Sequence, residues 1–73
     1  MSKLPRLSGW DAVRALQTAG FRLRRQHGSH IILRRDNPFA QTVVPNHSEL
    51  DRGTLRAILR QYDLEVDEVL QLL

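Results

Sequence analysis

The sequence predicts a small α+β protein, a two-layer sandwich in which helices cover one face of a three-stranded antiparallel sheet. Apolar residues recur at helical spacing near both ends of the chain, whereas the middle holds three short β-prone runs separated by turn formers. A chain of 73 residues supports one domain with a small core, so residues 1–73 are predicted to form a single domain. Within it, residues 1–7 are expected to be a loose arm, because Pro5 disfavours a helix.

A first helix is predicted over residues 8–19. Ser8 is a suitable N-cap, and Asp11 follows three residues later, as in a capping box. Gly20 can end the helix in the left-handed conformation. Trp10 lies on the apolar side of this helix, so we expect it to pack on the core; the alternative is a platform on which a base stacks.

A β-hairpin is predicted next. Residues 21–26 alternate in polarity, which is typical of a half-buried strand, and their exposed side is basic. Gly28 and Ser29 are turn formers, and the apolar run that follows them predicts a second strand over residues 30–35.

A loop over residues 36–40 is predicted to lead to a third strand over 41–44, which Pro45 ends. Asp51 is the best N-cap for the long helix that follows. Asp63 is expected to end that helix in the left-handed conformation, before a short C-terminal helix. The resulting order, α-β-β-β-α with a short last helix, matches the double-stranded-RNA-binding domain, whose sheet is open on one side.

Charge points to a polyanionic partner. The net charge is +3, the pI is about 10.6, and ten of the eleven cations are arginines. Residues 14–35 hold six arginines and no acid. Arginine binds phosphate through two hydrogen bonds, so a basic surface is predicted; a merely solvated surface is the alternative. The candidate binding residues are Arg22, Arg24, Arg25, Arg34 and Arg35.

Other function classes are less favoured. The chain has no cysteine, which fits the cytoplasm, and no apolar run long enough for a membrane span. The N-terminus lacks the apolar region of a secretory signal. Acidic residues are scattered, so neither a metal site nor a cofactor is expected.

His30 lies where the turn ends and the second strand begins, with arginines on both sides. A titratable ring among cations is what a site for a phosphate-bearing ligand would contain. A hydrogen-bonded structural histidine is the alternative. From the residues alone, His27 is expected to be an exposed turn residue.

Three motifs in register resemble the HicA (YcfA-like) toxin family of type II toxin–antitoxin systems. They cover most of the chain: Ala19-Gly20-Phe21, then Gly28-Ser29-His30, then Val44-Pro45-Asn46-His47-Ser48-Glu49-Leu50 followed by residues 53–61. Two positions depart from the family pattern. His27 stands where a lysine or arginine is common, and Tyr62-Asp63 replaces the usual Ala-Gly.

This resemblance implies a double-stranded-RNA-binding-like fold and a small ribonuclease, an mRNA interferase, that a HicB-type antitoxin neutralises. It also implies that His30 is the catalytic histidine. Cleavage of RNA without a metal needs a base, an acid and a cation beside the phosphate, and imidazole and arginine can supply them. His47 is the candidate for a second catalytic group, or else a residue that fixes its loop. The alternative function is a catalytically silent RNA-binding module with the same fold; a protein-interaction domain is a weaker one.

Overall fold

The structure, a computed structural model, describes residues 6–71 and confirms the predicted α+β architecture. The elements follow in the order α1 (Gly9–Thr18), β1 (Arg22–His27), β2 (His30–Asp36), β3 (Phe39–Pro45), α2 (Arg52–Gln61) and α3 (Val66–Gln71). The strands form one antiparallel sheet in the order β1-β2-β3. The order of elements and the sheet are those of a double-stranded-RNA-binding-like fold.

The core lies between the helices and one side of the sheet. Ile31, Leu33 and Val44 point from the strands into a cluster that includes Leu16 of α1 and Leu55 of α2, and each of these five side chains is almost completely buried. Burying such a side chain contributes about 1.5–3 kcal/mol. This cluster therefore holds the helices to one face of the sheet, and no element within residues 6–71 covers the other face.

Local signals set the ends of the helices as predicted. Ser8 accepts a hydrogen bond from the backbone N–H of Asp11 at 3.1 Å, and Asp11 accepts one from the backbone N–H of Ser8 at 3.0 Å, which completes a capping box. Asp51 caps α2. Gly20 and Asp63 adopt the left-handed conformation after α1 and α2, with φ of +94° and +57°.

The prediction of a half-buried first strand is wrong. All of β1 is exposed, including Leu23 at 45%, and Phe21 provides the buried aromatic side chain just before the strand begins. A β-bulge lies between Leu23 and Arg25, where Arg24 has no opposite residue in β2. The bulge interrupts the alternation of side chains that the prediction assumed.

β3 begins two residues earlier than predicted. Asn37 and Pro38 alone connect it to β2, because Asp36 pairs with Phe39 across this tight connection. The prediction assigned residues 36–40 to a loop, because Asp36, Asn37 and Pro38 are turn formers that break a strand. Here the proline lies between the strands, so the pairing continues up to it.

Two predictions for the N-terminal region also need correction. Leu7 is buried in the core and its carbonyl accepts a hydrogen bond from the backbone N–H of Leu50 at 2.7 Å, so the prediction of a loose arm is wrong at this residue. Residues 1–5 lie outside the described residues. Trp10, expected in the core, is 40% exposed.

Candidate functional site

The strand registers decide which side chains share the uncovered side of the sheet. Residues directly opposite each other in antiparallel strands project to the same side, and Ile31, Leu33 and Val44 project into the core. The alternate positions form the other side, here called the open face. It carries Arg22, Arg25 and His27 of β1, then His30, Ile32, Arg34 and Asp36 of β2, then Phe39, Gln41 and Val43 of β3.

Two histidines stand side by side at one end of the open face. His27 and His30 pair directly across the β1–β2 hairpin, and both are exposed. The hairpin closes through Gly28, with φ of +59°, and Ser29, an arrangement that fits a type II′ turn. The sequence predicts His27 in the exposed turn, where it could change the grip on RNA or add a second titrating ring. Because a two-residue turn makes the residues on either side of it partners, the structure places His27 directly opposite His30. An open depression at this position is lined by His27, His30, Arg25, Ile32 and Val43.

His47 lies near the same end, on the loop after β3. It follows by two residues Pro45, which pairs with His30, and its side chain is exposed. Its backbone N–H donates to the Pro45 carbonyl at 2.9 Å. The backbone of His47 thus helps to hold this loop, and its imidazole is open to solvent.

Backbone contacts hold this end of the sheet together. The N–H of Asn46 donates to the carbonyl of Ser29 at 2.7 Å, and the N–H of Gly9 donates to the carbonyl of His47 at 2.9 Å. A Cβ atom on Gly9 would lie only 2.1 Å from the Pro45 carbonyl oxygen, so glycine is required for this close approach. The start of α1, the histidine hairpin and the loop of His47 therefore form one connected unit.

Four of the five predicted arginines surround the open face. Arg22, Arg25 and Arg34 lie on it by register. Arg24 at the bulge lines a depression together with Arg25 and Arg34, which makes it the fourth arginine of the open face. Arg22 and Arg34 each donate to Asp36 at 2.9 Å, and the hydrogen bond and charge of Arg34, with a smaller effect of Arg22, lower the pKa of this carboxyl. Within residues 6–71, Arg24 and Arg25 form no ion pair and are available to an anionic ligand.

Arg35 does not belong to this surface. Its position in β2 places it on the helix side, where its guanidinium lies over the ring of Phe21 at 4.7 Å from the centroid. The same group donates to the backbone carbonyls of Ala19 at 3.2 Å and Pro38 at 3.0 Å. Grouping Arg35 with the other arginines overlooked the alternation of sides along a strand.

Phe39 was missed by sequence reasoning because it was assigned to a loop. It is 68% exposed, and it lies on the open face at the end opposite the histidines. The guanidinium of Arg34 lies over its ring, 5.8 Å from the centroid. A predicted connection of two residues after Asp36 would have placed Phe39 directly opposite Asp36. Because paired residues share one side of the sheet, it would also have placed Phe39 on the open face.

Two further properties concern the part of the chain that the structure describes. There, no group of three or more His, Asp or Glu side chains is arranged to hold a metal ion. Over the same range, no helix has the length and apolar character needed to cross a membrane.

Residues 9–64 match the family model described as "HicA toxin of bacterial toxin-antitoxin". The match spans well over half of the 73 residues and includes the sheet, α1 and α2. The chain belongs to the HicA toxin family. It is accordingly the toxin of a bacterial toxin–antitoxin system, and the family implies a cognate antitoxin as its partner. No curated protein matches the sequence significantly.

The resemblance rested on motifs far apart in the toxin's sequence, and two of them meet in the structure. The Gly28-Ser29-His30 turn and the segment that begins at Val44 are joined by the Asn46–Ser29 hydrogen bond and by the pairing of His30 with Pro45. His30 and Pro45, one from each of these two motifs, thus lie together at one end of the open face.

Proposed function

We propose that this toxin is a metal-independent endoribonuclease, an mRNA interferase that acts in the cytoplasm, binds RNA across the open face and cleaves it with His30. The observation that supports the proposal most is the position of His30. It is exposed, it stands beside a second imidazole, and it adjoins a face with four arginines.

The reaction needs little more than these groups. One group removes the proton of a ribose 2′-hydroxyl, whose oxygen attacks the adjacent phosphorus, and a second group gives a proton to the departing 5′-oxygen. His30 is assigned to one of these steps. His27, directly opposite, and His47, beyond the partner of His30, are the candidates for the other. Arg25 lines the same depression and is placed to stabilise the negative charge that develops on the phosphate.

The experiment compares wild type with His30→Ala, His27→Ala and His47→Ala on one RNA, in buffer with a chelator. The His30→Ala variant should cleave RNA at least about 100-fold more slowly than wild type, because it lacks a general acid or base. Folding, followed by circular dichroism and thermal melting, should be preserved, because the side chain is exposed and such surface changes are usually within about 0.5 kcal/mol. RNA binding should also persist, since the arginines supply most of the attraction.

His27→Ala and His47→Ala identify the second catalytic group. It is the histidine whose replacement lowers the cleavage rate about as much as His30→Ala does. A folded His30→Ala variant that cleaves at the wild-type rate rules out His30 as the catalytic group.

The alternative is an RNA-binding module without catalysis, in which the arginines bind the backbone and His30 is structural. Both functions require RNA binding that weakens with salt. Wild-type protein that binds RNA and leaves it intact over long incubation, with or without added metal, would favour the module.

We propose a HicB-type antitoxin as the partner, covering the open face and the His30 end. The four arginines of this face would attract an acidic contact surface and give fast association. The complex should co-purify from cells at native expression, and RNA should compete poorly with it. Recovery of the toxin alone would count against this partner.

A further inference from the structure

Phe39 is the most exposed of the large apolar side chains in the described part of the chain, at 68%. Its position follows from pairing: it is opposite Asp36 and therefore on the same side of the sheet as Arg34. Exposure of a phenylalanine ring to water is unfavourable relative to its burial. Because the backbone of Phe39 is paired with β2, the ring projects from a defined position on the open face.

The surroundings of this ring match a nucleotide rather than an apolar partner. The Arg34 guanidinium lies 5.8 Å from the ring centroid, and Arg22 is held close by through Asp36. Further along the face, Ile32 and Val43 form a directly paired apolar strip between Phe39 and the histidines. Proteins that bind single-stranded nucleic acid combine cations for the backbone with aromatic rings for the bases in this way.

We infer that Phe39 is a stacking platform for one unpaired base of the bound RNA. The inference rests on the proposed function, because it takes RNA as the ligand, and it adds a binding site and a geometry. Stacking suits any base, since each has a flat π-face. The four arginines of the open face favour this polyanion over an apolar protein surface as the occupant.

Distance along β3 gives the site a role in positioning. Phe39 and Pro45 are six residues apart, which is about 20 Å along a strand, and Pro45 pairs with His30. The stacked base would therefore lie about 20 Å from the reacting phosphate, or about six nucleotides at the rise of a stacked strand and fewer if the RNA is extended. Phe39 would hold the strand at a fixed distance from the histidines.

The test measures binding of labelled single-stranded RNA to Phe39→Ala, Phe39→Leu and Phe39→Tyr. Loss of stacking should weaken binding by at least about fivefold in the Ala and Leu variants, whereas Tyr should retain wild-type affinity. Leu70→Ala is the matched control, because Leu70 is also exposed, at 42%, and lies on α3. Its affinity should not change. Circular dichroism checks that each variant is folded.

A scan with single abasic nucleotides makes the test specific to stacking. One abasic position should weaken binding to wild type, and the same position should have no effect on Phe39→Ala. Wild-type affinity in both Phe39→Ala and Phe39→Leu overturns the inference while the proposed function stands, and a wild-type protein that binds no RNA overturns both. If the Phe39 variants bind RNA normally but lose the antitoxin, Phe39 is a protein contact instead and the inference is wrong.

Discussion

The double replacement of Arg24 and Arg25 by alanine should weaken RNA binding and make the affinity less dependent on salt concentration. These two side chains lie around the open face and make no ion pair within residues 6–71, so their charge is available to phosphate. Each phosphate contact on a single strand contributes about 0.7 to the slope of log affinity against log salt. Loss of two contacts should flatten the slope by about 1.4.

That slope has a measurable consequence. Between about 50 and 200 mM salt, two contacts correspond to about a sevenfold change in affinity, so the advantage of wild type over the double variant should shrink by about that factor. Fluorescence anisotropy with one labelled RNA at four or five salt concentrations would measure it. Arg52→Ala with Arg56→Ala is the matched control: it removes the same charge from exposed positions on α2.

The control double variant should change the slope much less. Asp36→Asn should act in the opposite direction, because it removes the carboxylate that holds Arg22 and Arg34 and leaves both free to bind phosphate. Equal slopes for the Arg24/Arg25 and Arg52/Arg56 double variants would mean that net charge, and not the open face, attracts RNA. The reasoning from strand register would then be refuted.

Two further predictions concern stability and are checked by thermal and denaturant unfolding. Arg35→Ala should lower the free energy of unfolding by about 1–3 kcal/mol, because it removes the contact with Phe21 and two hydrogen bonds to backbone carbonyls. The salt dependence of RNA binding should not change. Unchanged stability together with a flatter salt slope would mean that Arg35 binds RNA after all. Gly9→Ala should lower the free energy of unfolding by about 1–3 kcal/mol, because its Cβ would lie 2.1 Å from the backbone carbonyl oxygen of Pro45. Gly53→Ala should cost less, because its Cβ would lie 3.3 Å from the carboxylate of Asp51, an exposed side chain that can shift.

The helices of the fold could be predicted because their ends depend on nearby residues. Ser8 and Asp11 form a capping box within one turn, and Gly20, Asp51 and Asp63 act within a residue or two of the helix that each one caps or follows. Such contacts are present in any short segment of the sequence. The order of elements and the fold class followed from them and from three β-prone runs.

The errors within the sheet all concern pairing between strands, whereas the misplaced Leu7 and Trp10 concern packing against the first helix. The bulge at Arg24 and the early start of β3 at Phe39 depend on the register with β2, which no single strand encodes. The same register separates Arg35 from the other arginines and brings His27 opposite His30. Sequence reasoning could therefore supply the residue types of the site, but which of them share a face depends on hydrogen bonds between segments far apart in the chain.

The exposed strand β1 has a consequence for how the chain behaves at high concentration. It forms one edge of the sheet, and an edge strand presents unpaired backbone groups that can template pairing with another copy. The bulge at Arg24 distorts that edge, and three arginines repel a second copy of the same strand. Substitutions that make β1 more apolar and regular would thus promote self-association and precipitation, even where they leave the core untouched.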